Sequence, residues 1–130
     1  MKQFGQAFSS LEELKIIHGN ILILDYNGAM DSIHHVAIRV KDLSRAVQWY
    51  TENFDCRVSY QDDTWAMLDF ENIQVALVIP KQHPAHLAVS RERAADFGPL
   101  VTHRDGIRSV YIEDSEENSV EILEKDSLPK

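Results

Sequence analysis

Little in this chain favours cross-linking, membrane insertion or nucleic-acid binding. A single cysteine, Cys56, excludes an internal disulfide and a cysteine-rich zinc site and fits a reducing compartment. No apolar run approaches the roughly 18 residues of a membrane span. Lys and Arg number 13 against 21 Asp and Glu, the formal net charge is −8, and the basic residues are scattered. Attraction to a phosphate backbone therefore has no footing. The N-terminus has one lysine but no apolar stretch leading to a small-residue cleavage site, so it does not read as a signal peptide. These absences predict a soluble, cytoplasmic protein without nucleic-acid or membrane partners. At 130 residues the chain suits one domain, burying roughly two thirds of its unfolded surface.

The pattern of apolar residues divides the chain. "FSSLEELKIIHG" predicts a short helix capped by Ser9 or Ser10 with Glu13 near its first turn, and "NILILDYNGAM" a strand ending in an Asn27-Gly28 turn. Residues 1–30 thus form an appendage to a single domain at 31–126, with 127–130 as a tail. From Ile33 to Val40 the residues alternate, His35, Ala37 and Arg39 on one face, His34, Val36, Ile38 and Val40 on the other. Lys41 to Ser44 supply capping oxygens, and Leu43, Ala46, Val47, Tyr50 and Phe54 recur at helical spacing. Three strand-like runs follow, "CRVSY", "TWAMLDF" and "IQVALVIP".

The order of elements then restarts. "AHLAVSRERAADF" is again a histidine-led strand entering a helix with Ala94, Ala95 and Phe97 on it. "GIRSVYIEDSEENSVEILE" gives two strands around an acidic turn. The fold class is α+β, with two βαβββ modules, about 33–80 and 84–124, forming a curled mixed sheet around a cleft; the second module is shortened.

Strand phase gathers His35, His86 and Glu121 on one face. Two imidazoles and a carboxylate converging there make a facial triad, which leaves positions on a divalent ion open to water or substrate. The competing reading has the histidines bonded to loops and the glutamate facing solvent. Alternation sends His34 to the opposite face, as a structural or rim residue, and His18, His83 and His103 sit in turn-like surroundings as surface residues. Trp65 and Met67 share a face and read as core packing or as the wall of an apolar pocket.

"HHVAIRVKDLSRAVQWYTENF" resembles the opening βα unit of the vicinal oxygen chelate superfamily, which includes glyoxalase I, extradiol dioxygenases, fosfomycin-resistance enzymes and bleomycin-resistance proteins. "RSVYIEDSEENSVEILE" is similar to its closing hairpin, usually Tyr-Phe-x-Asp-Pro-Asp-Gly-Asn-x-x-Glu-hydrophobic. The resemblance spans about Ile33 to Glu124 and selects the same three residues. His35, His86 and Glu121 would hold a divalent metal ion (Fe, Mn, Zn, Ni or Co), and the chain would pair as a homodimer. Glyoxalase I adds a fourth ligand, whose position falls on Ala76. Ser115, Glu116 and Glu117 stand where Pro, Asp and Gly are common.

The resemblance implies a metal-dependent enzyme of glyoxalase or dioxygenase type, acting on a small oxygenated substrate chelated by the ion, as an isomerase, a lyase or a ring-cleaving dioxygenase. Arg39 on the ligand face suits an anionic substrate group, and Gln74 a substrate oxygen. Ser109 and Tyr111 match a Ser-x-Tyr that serves the anionic substrate in fosfomycin-resistance enzymes. Two alternatives stand beside this reading. One is a non-catalytic small-molecule or drug-binding protein of bleomycin-resistance type, which the acidic balance also suits. The other is a degenerate module kept for dimerisation.

Overall fold

The computed structural model describes residues 14–17, 20–23 and 30–130. The chain forms two compact units, Met1–Met30 and Asp31–Lys130. In the first, β1 (Leu14–Ile17) and β2 (Asn20–Ile23) make an antiparallel pair, Leu14 opposite Ile23 and Ile17 opposite Asn20. "LKII" is therefore strand, not the continuation of a helix begun at Ser9 or Ser10. Two adjacent β-branched isoleucines lose rotamer freedom in a helix, and "NILI" offers them a matching strand. Ser9, Ser10, Glu13 and the Asn27-Gly28 turn lie outside the described residues.

The second unit opens with β3 (Ser32–Arg39) and α1 (Leu43–Asn53). Asp42 caps α1, its carboxylate accepting from the Arg45 N–H at 3.1 Å. Three strands complete the first module: β4 (Arg57–Gln61), β5 (Trp65–Asp69) and β6 (Gln74–Val78). The second contains β7 (His86–Arg91), a 3₁₀ turn at Ala94–Phe97, β8 (Val101–Thr102), β9 (Arg108–Glu113) and β10 (Ser119–Glu124).

All eight strands of this unit join one mixed sheet in the order β4-β5-β6-β3-β7-β10-β9-β8. β3 and β7 meet antiparallel at the centre, and each is flanked by the last strand of its own module running parallel to it, β6 beside β3 and β10 beside β7. The order thus reads the same from either end once modules are exchanged. Two βαβββ modules are joined through their first strands, related by an approximate two-fold.

The second module is the shorter, as the sequence predicts, but by a different route. Its second strand, the counterpart of β4, is present as the two-residue β8, and its helix is reduced to a single 3₁₀ turn. Gly98 and Pro99 follow at once and stop the helix, and no side chain caps its start.

In module one the sheet separates two apolar layers. On the α1 side Leu43 and Val47 pack with Ala66, Leu68 and Leu77, bordered by Ile38, Val40 and Phe70. The opposite side carries the small residues Ala37 and Ala76 with Val78, against which half-buried Trp65 and Met67 rest. Helix on one face and short side chains on the other leave room over Ala37 and Ala76 for the groups that β3, β7 and β10 project.

Candidate metal centre

The β3–β7 ladder places the two histidines. Ala37 lies opposite His86 and His35 opposite Ala88, with the Val36–Leu87 pair between them, so both imidazoles rise from the face away from α1. β10 runs beside β7 with Glu121 opposite Ala88, which brings the carboxylate to the same point. All three are buried, at 8%, 8% and 5% exposure for His35, His86 and Glu121.

Three atoms converge. His35 Nε2 and His86 Nε2 are 3.2 Å apart, and Glu121 Oε1 lies 3.5 Å from the first and 3.3 Å from the second. The opposite atom of each side chain is tied elsewhere. His86 Nδ1 is 2.9 Å from the Pro84 carbonyl, which only accepts, so Nδ1 bears the hydrogen and the neutral ring offers its Nε2 lone pair to the cluster. His35 Nδ1 is 2.8 Å from His34 Nδ1. Glu121 Oε2 accepts from the Ser109 hydroxyl at 2.8 Å.

With His35 Nδ1–H donated to His34, two nitrogen lone pairs and a carboxylate oxygen face one another at such separations, and a cation among them, a proton or a metal ion, relieves their repulsion. The electrostatics of the cluster separate the three groups. Burial disfavours the His86 cation, but hydrogen bonds to Glu121 and Pro84 and the Glu121 charge outweigh it and raise its pKa. Burial lowers His35 to about 4, overriding the pull of Glu121, with His34 and His86 adding repulsion. Burial also works against the Glu121 anion, yet the bonds from His86 and Ser109 and the nearby imidazoles hold its pKa below the usual value.

The donor set fits a divalent transition ion. At about 2.1 Å from each donor such an ion would see its ligands roughly 3.0 Å apart in an octahedral and roughly 3.4 Å apart in a tetrahedral arrangement. The three separations, 3.2, 3.3 and 3.5 Å, lie around the tetrahedral value and somewhat above the octahedral one. The approximate two-fold exchanges His35 with His86, Ala37 with Ala88, and Glu121 with Ala76, because β6 places Ala76 opposite Ala37 as β10 places Glu121 opposite Ala88. Among the described residues the cluster of metal-binding side chains is these three, and the fourth corner carries a methyl group.

The remaining sequence-predicted residues take different places. Tyr111 stands opposite Glu121 in the β9–β10 ladder, its ring edge-on to His86 at 5.2 Å. Burial, then the Glu121 carboxylate, pushes its pKa well up, so the phenol stays a neutral donor. Ser109 is 1% exposed, and its hydroxyl is engaged with Glu121 and with His103 Nε2 at 2.6 Å. Gln74 lies opposite His35 and donates to Asp69 at 2.6 Å. Arg39 is exposed at the end of β3, opposite Val78.

Two histidines that alternation and turn-like surroundings set aside belong to this neighbourhood. The β3–β7 ladder passes from the Ile33–Val89 pair directly to His35–Ala88, making His34 the extra residue of a β-bulge. The bulge cancels the alternation and sets His34 edge-on to His35, ring centroids 5.1 Å apart. His103 arrives through the β8–β9 hairpin, where its N–H bonds the Ile107 carbonyl at 2.7 Å, and its Nε2 lies 3.5 Å from Glu121 Oε2. Nothing in the sequence marks the bulge. Asp105-Gly106, with Gly106 at φ 89, is a hairpin signal that would have folded His103 back beside Ser109.

A family model described as the Glyoxalase/Bleomycin resistance protein/Dioxygenase superfamily matches residues 32–116. No curated protein matches by sequence. Among solved structures, a hypothetical protein from Bacillus halodurans superposes with a TM-score of 0.65 at 12% identity, covering 78% of this chain and 99% of that one. Methylmalonyl-CoA epimerase from Mycobacterium tuberculosis gives 0.57 at 18% identity, over 70% of this chain and 85% of that one. A mutant of homoprotocatechuate 2,3-dioxygenase from Brevibacterium fuscum gives 0.52 at 18%, covering 70% of this chain but only 31% of the longer one. With the matched residues running from the start of β3 into the β9–β10 turn, the chain belongs to the Glyoxalase/Bleomycin resistance protein/Dioxygenase superfamily.

Proposed function

We propose that this protein is a metal-dependent enzyme acting on a small oxygenated molecule, of isomerase, lyase or ring-cleaving dioxygenase type. One observation carries the reading: His35 Nε2, His86 Nε2 and Glu121 Oε1 form a buried triangle of 3.2–3.5 Å edges. In this reading the three are the ligands of one divalent ion (Fe, Mn, Zn, Ni or Co). Such an ion, when bound, polarises substrate oxygens as a Lewis acid.

The chain's own groups do the rest. Neutral His35 and His86 supply lone pairs, with the His86 tautomer fixed by the Pro84 carbonyl. Tyr111, half-exposed beside the triangle, offers its phenol O–H as a hydrogen-bond donor to a substrate oxygen. Arg39, on the ligand face at the end of β3, attracts an anionic group, with Gln74 and Ser109 as further substrate-side candidates whose polar atoms are already bonded within the protein. The small side chains of Ala37 and Ala76 leave a flat apolar floor for a compact substrate.

A homodimer in the cytoplasm completes the proposal. The edge strand β4 is exposed along its length, an open pairing surface, and a single cysteine suits a reducing compartment. The described residues hold no helix long and apolar enough to cross a membrane.

Elemental analysis of protein purified without chelator tests the reading. About one divalent ion per chain is expected in the wild type, and loss of that ion in His86→Ala. A wild type that neither carries nor takes up Fe, Mn, Zn, Ni or Co would instead favour a sequestering protein. Oxygen uptake with catechols and isomerisation of a hemithioacetal then divide the dioxygenase from the isomerase branch.

A further inference from the structure

Glu121 differs from the two histidines in how its far atom is held. His86 leans on a backbone carbonyl and His35 on its neighbour, but Glu121 Oε2 ends a chain of two side chains from other elements, Ser109 of β9 and His103 after β8. The direction of this chain follows from elimination. A carboxylate only accepts, so the single Ser109 hydrogen points to Oε2 at 2.8 Å. The 2.6 Å contact of Ser109 Oγ with His103 Nε2 is then an N–H donated by the imidazole. Both sides of the buried hydroxyl are thereby used.

We propose that His103 and Ser109 are positioning residues: through the chain His103 N–H to Ser109 O–H to Glu121 Oε2 they hold the carboxylate so that Oε1 alone is presented to the ion. This rests on the metal reading above. Oε2 is occupied on the side away from the triangle, where Ser109 at 2.8 Å and His103 at 3.5 Å both face it. Turning the carboxylate to offer both oxygens breaks these bonds and strands a hydroxyl that is 1% exposed. Glu121 is thus kept to one coordination position, leaving the others to substrate oxygens. In this proposal the Ser109 hydroxyl serves the ligand Glu121.

Metal-free protein titrated with Co(II), with Kd and coordination read from visible absorbance, tests this. Removal of partners that orient a ligand typically weakens binding 10–100-fold. Ser109→Ala and His103→Ala are expected to raise the Co(II) Kd about tenfold and to weaken the visible bands as the carboxylate goes bidentate. His103→Gln, whose amide N–H replaces the ring N–H, should stay near the wild type. Because the two residues act in series, the double alanine variant should bind no more weakly than the weaker single one. Thermal melts of the metal-free variants separate positioning from folding, and the midpoint of His103→Ala, on a partly exposed side chain, should not move.

Three results would overturn the proposal: single variants with the wild-type Kd and spectrum, losses that multiply in the double variant, or affinity that falls only where the metal-free melting point falls. A wild type that binds no Co(II) fails earlier, taking the metal reading down as well.

Discussion

Between β9 and β10 the backbone passes through Glu117 at φ 66, a left-handed conformation that costs a residue bearing a Cβ about 1 kcal/mol or more. The position is the one where the family's closing hairpin usually has glycine. Asp114 compensates by accepting from the N–H groups of Glu116 and Asn118, at 2.8 and 2.9 Å, and from the Asn118 amide at 2.9 Å. Glu117→Gly should therefore raise stability by about 0.5–1 kcal/mol, the relief of strain exceeding the entropy glycine adds to the unfolded chain. A higher thermal midpoint checks it, and a lower one would show that the turn tolerates Glu117 freely. At this scale alternation and element order were enough to bring His35, His86 and Glu121 together. His34 escaped because a bulge depends on how the facing strand is registered, which no local pattern records. His103 escaped because its strand has only two residues, too few to show a period.

Asp69 shows how elements are tied. From β5 it accepts from Gln74 of β6 at 2.6 Å, and from Arg57 and Ser59 of β4 at 2.7 and 2.8 Å. Those bonds, Gln74's foremost, hold its pKa down to about 2. The folded value lies below the unfolded one of about 3.9, so the stabilisation is complete above that pH and is lost as pH falls through about 2. Asp69→Asn should lower stability at neutral pH and flatten its decline between about pH 4 and about pH 2, followed by denaturant titration across that window. A wild-type acid limb that survives the substitution would place the titrating group elsewhere. Elements with a strong period, such as β3, α1, β5 and β6, were legible in the sequence. The second helix was not, because Gly98-Pro99 truncates it, and neither was the strand at "LKII", because a capping serine just ahead of it favours a helix against its β-branched pair.

Taken whole, the molecule divides at Met30, and the eight-stranded sheet is complete within Asp31–Lys130. A chain of residues 31–130 should unfold in one cooperative transition and keep the wild-type Co(II) affinity. Circular dichroism melts and the same titration decide this, and a chain that fails to fold would show that the first thirty residues are structurally required. Symmetry within the sheet has a consequence of its own. A centre with matching corners on both halves would accept a bound molecule equally in two orientations related by the two-fold. Here Glu121 fills one corner and Ala76, its two-fold mate, leaves the other to a methyl group. Under the metal reading, a bound molecule has one side on which to place its oxygens, so one of those two orientations is held and the other is not. The duplicated frame has become directional through the carboxylate that only one of its halves carries.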